Sequence, residues 1–170
     1  CSPTMRIPSN PPTANLIAML RVQFVTLFPE MVLQAVGHSM LRRAADAGLV
    51  AFEAVDPRSF TTDNHRTVDD KPFGGGPGML MKAEPVAQAI ESLGTEGAAI
   101  VFPDPTGTRF DQTTAESLAG AGRVMFVCGH YEGIDERVRE RYATHTLSIG
   151  DFVLTGGELP ALLMADAIVR

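Results

Sequence analysis

Ser148-Ile149-Gly150-Asp151-Phe152-Val153-Leu154-Thr155-Gly156-Gly157-Glu158-Leu159-Pro160 is the stretch on which the reading of this chain turns. Apolar, strand-forming residues run into paired glycines, and these open directly onto a helix-forming segment. Glycine lacks Cβ, so it reaches φ > 0 and lets a ligand lie against bare backbone. A helix N-terminus adds unpaired N–H groups and a partial positive charge. The combination makes a backbone-lined socket for a polar ligand. Taken alone, Gly156-Gly157 is equally well a tight strand-to-helix turn. Two further junctions of the same kind favour the socket: Pro103-Asp104-Pro105-Thr106-Gly107, and Cys128-Gly129-His130-Tyr131-Glu132-Gly133-Ile134-Asp135-Glu136-Arg137. Each puts glycine or proline directly after an apolar strand, and in open α/β sheets ligands collect beyond such strand ends.

Strand and helix patterns alternate along the rest of the chain. Residues 22–28 are β-branched and aromatic and read as a strand, and Pro29 then opens a helix with Met31, Val32 and Val36 on its apolar face. Residues 50–55 form a second strand. From 56 to 79 no period survives, which predicts a long polar, glycine-rich loop. Pro85 lies in the first turn of a helix whose apolar face is Val86, Ile90 and Leu93. A strand over 98–102 breaks at 103–107, and Thr113 or Thr114 caps a helix ending at Gly120. Residues 124–127 are wholly apolar, the pattern of a strand covered on both faces. Ile134, Val138 and Tyr142 share a helix face, with Asp135 and Arg139 paired across one turn. Segments 144–148 and 152–154 read as extended. The last helix, 159–170, is apolar nearly all round and is expected to be buried centrally or against another subunit. The fold class is α/β with a mostly parallel sheet.

Composition sets bounds on this reading. The 170 residues suit one domain with a substantial core. Residues 1–18, with Pro3, Pro8, Pro11 and Pro12, read as a disordered extension or an expression remnant, which leaves 19–170 as the domain. No apolar run is long enough to span a bilayer. Two cysteines, Cys1 and Cys128, give no basis for a disulfide framework or a cysteine metal site, and a reducing cytoplasm fits. A net charge of −6 argues against a nonspecific nucleic-acid coat. It leaves room for a local basic patch from Arg42, Arg43, Arg58, His65, Arg66, Lys71 and Lys82, or for the same charges scattered over the surface.

The glycine-rich run from Val68 to Met79 is superficially like a phosphate-binding loop. It lacks the Gly-Lys-Ser/Thr ending and does not open its helix, so that reading is set aside. A flap over a substrate, with Asp70 and Lys71 at one hinge, accounts for it better than a plain linker.

At this point the chain resembles the bacterial tRNA (guanine-N1)-methyltransferases of the TrmD type, in the SPOUT superfamily. The matching blocks are Thr26-Leu27-Phe28-Pro29-Glu30-Met31, His65-Arg66-Thr67-Val68-Asp69-Asp70, residues 72–79, residues 128–138 and residues 148–160, in that order. The resemblance implies a deep C-terminal trefoil knot, an exception to the rule against threaded chains. It implies bent S-adenosylmethionine held by Pro105, Gly129, Tyr131, Glu132, Gly133, Ile149, Gly150, Asp151, Phe152, Val153, Leu154, Gly156, Gly157 and Pro160. It also implies tRNA contact by Asp70, Phe73 and Gly74, and a homodimer whose active site draws on both subunits.

The reaction so implied is methyl transfer to N1 of the guanosine immediately 3′ of the anticodon, with Arg170 and Glu132 as catalytic residues. Arg170 matches the arginine that stabilises O6; without the resemblance it reads as an ion-pair partner of Asp166. The family's general-base aspartate and a tRNA-gripping helical domain are expected beyond Arg170, so the chain reads as a fragment that binds cofactor and transfers methyl poorly by itself. The resemblance allows for Mg2+ in the reaction, but no ligand cluster identifies a site. His130 and Phe73 stand where some relatives carry arginine and tyrosine. Two other readings compete: a noncatalytic nucleotide- or RNA-binding α/β module, and a SPOUT methyltransferase acting on another RNA position. The apolar setting of Ile149, Phe152 and Leu154 suits an adenine ring better than a triphosphate.

Overall fold

Alternate residues of the central strands face two different cores, and this makes the molecule a three-layer α/β/α structure. The computed structural model describes residues 18–72 and 74–170 and, as backbone, 4–6. Its strands are β1 (Thr4–Arg6), β2 (Leu20–Val25), β3 (Val50–Val55), β4 (Asp69–Asp70), β5 (Leu80–Met81), β6 (Ala99–Arg109), β7 (Arg123–Val127) and β8 (His145–Ser148). Its α-helices are α1 (Pro29–Val36), α2 (Ser39–Asp46), α3 (Ala83–Leu93), α4 (Gln112–Ala119), α5 (Glu136–Tyr142) and α6 (Glu158–Val169). Val22 and Phe24 of β2 and Val124 and Phe126 of β7 point into a core closed by α1, α2, α4 and α6. Val25, Met125 and Val127 point the other way, into a core closed by α3 and α5. Such strands need apolar residues at every position except where a polar network is built, as at Gln23.

The main sheet has the order β1-β3-β2-β7-β6-β8. Its contacts are parallel, apart from the antiparallel pairing of β1 with β3. Phe24 and Phe126 sit in register on neighbouring strands with ring centroids 5.6 Å apart. Each fully buried ring of this kind contributes about 1.5–3 kcal/mol through burial. The mostly parallel α/β class is therefore as expected.

Several local expectations are corrected. β2 stops at Val25, because the Thr26 hydroxyl accepts from the Phe28 N–H at 3.0 Å and turns the chain out of the sheet. Helix α2 has no counterpart in the sequence reading. β6 does not end at Pro103: after an irregularity between Pro103 and Thr108 it rejoins β8. Asp111, not Thr113 or Thr114, caps α4 by accepting from the Thr114 N–H at 2.8 Å. Asp135 does not pair with Arg139. It caps α5 and binds Arg137 at 2.7 Å, while Arg139 bridges Glu136 and Asp104. Residues 152–154 form bends rather than a strand. Helix α6 starts at Glu158, and within this chain Leu159 and Leu163 remain exposed, so of the two expected modes of burial the central one does not account for its whole surface. The long loop carries a 3-10 turn (Pro57–Phe60) and the β4–β5 hairpin. Of residues 1–18, read as a disordered extension or an expression remnant, Thr4–Arg6 pairs with β3; the rest of 1–17 lies outside the described residues.

Arg123 joins β7 to the end of α3. Its guanidinium donates to the carbonyls of Leu93 (2.8 Å), Gly94 (2.8 Å) and Glu96 (3.1 Å), and to Gln23 Oε1 (3.1 Å). It thus satisfies carbonyls that a helix end leaves without partners. Arg123→Met keeps an apolar stem but strands these acceptors, and is expected to lower stability by about 2–3 kcal/mol. Urea unfolding checks this, with an unchanged midpoint ruling the cap out.

Candidate ligand-binding cleft

The carboxyl ends of β6, β7 and β8 open into a cleft of about 240 Å³. Every residue expected to hold cofactor lines it except Asp151, which is exposed outside. Pro103, Asp104, His130, Leu147, Ser148 and Thr155 line it as well. A second cleft adjoins the first, sharing Pro103, Asp104, Gly129, Glu132 and Gly133 and adding Ile134, Glu136 and Arg139.

Backbone contact sets the cleft's width. The Gly157 N–H donates to the Gly129 carbonyl at 2.9 Å, and His130 and Gly156 form an antiparallel bridge. A Cβ at Gly157 would lie 2.8 Å from Cys128 Cα, so no other residue allows α6 to start this close to β7. On the opposite wall, the Ser148 hydroxyl donates to the Gly150 carbonyl (2.9 Å) and accepts from the Gly150 N–H (3.2 Å). This folds the segment after β8 into a tight turn, and Phe152 packs its ring against bare Gly150. Phe152, Val153 and Leu154 stand exposed at the rim. Tyr131 holds φ +60, an uncommon state for a bulky side chain, at the crest of the middle loop.

The glycine-rich hairpin docks on that same middle loop. The Glu132 N–H donates to the Met79 carbonyl and the Met81 N–H to the Gly133 carbonyl, both at 2.9 Å. Gly78, at φ +93, lies under the Glu132 side chain, where a Cβ would come within 2.2 Å of its Cγ. Asp70 on β4 and Gly74 beyond it are exposed and do not line the cleft; Phe73 lies outside the described residues.

Arg170 is not brought to the cleft. It follows the last residue of α6, whose first residue adjoins the cleft, and a 12-residue helix spans about 18 Å. Its side chain makes no hydrogen bond or ion pair among the described residues, so the alternative pairing with Asp166 is absent.

A buried polar chain beneath the cleft escaped the sequence reading. Glu158, 3% exposed, accepts from the Thr26 hydroxyl at 2.7 Å and lies 2.8 Å from His130 Nε2. His130 packs edge-on against Phe28 with centroids 5.0 Å apart, and Arg58 stacks over the other ring at 5.7 Å. A Glu at the head of an apolar helix signals a helix start, but nothing in the sequence shows that it points inward. Burial, then the charge of Glu158, pushes the Cys128 thiol well above its usual range. Among the described residues no group of three or more His, Cys, Asp or Glu could hold a metal, and no helix is long and apolar enough to cross a membrane.

A mostly parallel α/β sheet with glycine-bearing loops converging at its strand ends is the architecture in which ligands collect beyond the carboxyl ends of the strands. The model of the tRNA (Guanine-1)-methyltransferase TrmD family matches residues 20–170, and the chain belongs to that family. It is 49% identical over 154 residues to the tRNA (guanine-N(1)-)-methyltransferase of Bacillus subtilis (strain 168), covering 89% of this chain and 63% of that protein. The proteins of the same name from Methylococcus capsulatus and Desulforudis audaxviator are 51% and 49% identical, over 89% and 88% of this chain. The chain spans 61% of each of those two relatives.

The enclosure of Cys128 leads to a chemical expectation. Iodoacetamide at pH 8 should leave Cys128 unmodified in the folded protein and alkylate it in urea, as read by peptide mass spectrometry. Rapid native labelling would contradict the burial.

Proposed function

We propose that the cleft binds S-adenosylmethionine and that this chain is the catalytic part of a tRNA methyltransferase acting on N1 of the guanosine immediately 3′ of the anticodon. The observation that carries this reading is the convergence of three glycine-bearing loops on one cleft in a member of this family. The cleft suits the ligand. Bare backbone at Gly129, Gly150, Gly156 and Gly157 permits close approach, the apolar rim of Phe152, Val153 and Leu154 suits an adenine ring, and Glu132 supplies a carboxylate toward the methionine portion or the guanine. The same reading includes the SPOUT fold with its trefoil knot, and cytoplasmic action on tRNA. No observation favours the noncatalytic module.

Bound S-adenosylmethionine supplies a methyl group on a sulfonium, an activated leaving group, so no covalent enzyme intermediate is needed. The protein's task is then positioning and charge. The loops that line the cleft would hold the methyl donor, and their task would be to present its methyl group to guanine N1. N1 carries a proton at neutral pH, and its loss places negative charge on O6. Arg170 stabilises that charge, and the proton passes to a general base. Because Arg170 sits about a helix length from its own cleft, it serves the cleft of a second copy. Exposed Leu159 and Leu163 on α6, with Phe28 and Met31 at the start of α1, supply apolar surface for that homodimer. Asp70, Phe73 and Gly74 belong to the tRNA side. Mg2+ has no assigned ligands.

Calorimetric titration with S-adenosylmethionine tests the assignment. Saturable binding is expected for the wild-type chain and loss of it in Gly156→Val, whose Cβ would sit 2.3 Å from His130 Nε2. A folded, dimeric wild-type chain that fails to bind would overturn the reading.

A further inference from the structure

Glu158 is a nearly fully buried carboxylate that the methyl-transfer chemistry leaves without a role. It is the first residue of α6, where the helix dipole favours negative charge. Its two oxygens hold groups from two different elements. Oε1 takes the Thr26 hydroxyl, just past the end of β2. Oε2 meets His130 Nε2, in the loop after β7. Thr26 Oγ1 accepts in turn from the Phe28 N–H, so a continuous relay runs from backbone through Thr26 and Glu158 to the His130 ring. His130 is the one member that lines the cleft. Its backbone bridges Gly156 and its N–H lies 3.3 Å from Met81 Sδ on the hairpin.

We infer that Glu158 is a positioning residue: its carboxylate, clamped between Thr26 and His130, holds the 129–133 loop at a set distance from Gly156-Gly157 and so sets the affinity of the cleft for S-adenosylmethionine. This rests on the S-adenosylmethionine reading above. The physical reason is that Gly156 and Gly157 have no side chains with which to brace the 129–133 loop, so a side-chain brace must come from the next residue, Glu158, onto His130. The antiparallel bridge of His130 with Gly156 and the Gly157 bond to the Gly129 carbonyl join the loops through main chain, and the His130–Glu158 pair adds a side-chain link between them. Hydrogen bonds to a buried charge are stronger than neutral ones, and losing one partner leaves the other stranded.

The test is calorimetric S-adenosylmethionine affinity of the 170-residue chain, measured well below each variant's melting temperature. Thr26→Val removes one donor and Glu158→Ala the whole clamp; each should raise Kd at least about tenfold. Thr26→Ser restores the hydroxyl and should bring Kd back to within about threefold of wild type. Val36→Ala, in the α1 core remote from the cleft, is the stability control: it should lower the melting temperature while leaving Kd unchanged. Wild-type affinity in folded Thr26→Val and Glu158→Ala would overturn the inference. So would a Kd that merely follows melting temperature across all four variants. Absence of binding by the folded wild type overturns the cofactor reading instead, and with it the inference.

Discussion

Helix α6 can begin where it does only because residue 157 has no side chain. Cys128 Cα and the Gly129 nitrogen lie 2.8 and 3.0 Å from where its Cβ would be, and these are backbone atoms that no rotamer change can move aside. The close approach brings the head of α6 against the end of β7. It places the Gly157 N–H on the Gly129 carbonyl and drives Glu158 beneath the cleft, within reach of Thr26 and His130. Remove this proximity and the cleft loses one wall together with its buried brace.

The rest of the fold supplies a rigid base for that contact. Burial on both faces leaves β2 and β7 no freedom to slide, since a one-residue slip would send Phe24 and Phe126 from one core into the other. Parallel pairing of β6, β7 and β8 then delivers three loops to one edge. The hairpin of β4 and β5 closes on the middle loop through main-chain bonds at Glu132 and Gly133.

Charge is handled locally. The acidic total of −6 coexists with a cleft walled largely by glycine and apolar side chains, so the cofactor would meet dipoles and one or two carboxylates rather than a charged surface. Arg139 is tied between Asp104 and Glu136, and Arg58 is stacked on Phe28. Arg170 is engaged by no neighbour among the described residues, consistent with the proposed role at a second copy's cleft.

The α/β class and the three loops that line the cleft were legible in the sequence because apolar runs ending in glycine or proline are local patterns with a direct steric meaning. The match of whole blocks to a family added the identity of the lining residues. What was not legible depends on distance through space. Strand β6 continues past Pro103 because β8 is there to pair with it, and Asp135 prefers Arg137 because α5 starts only at Glu136, which makes Asp135 its cap rather than a residue within its first turn. Residues 152–154 look like a strand but find no partner strand. The inward turn of Glu158 follows from the closeness that Gly157 permits, and a carboxylate beside paired glycines reads the same on paper whether it faces solvent or core. Local sterics determined which loops can bare their backbone at the strand ends; only tertiary packing decided how they are spaced and what holds them.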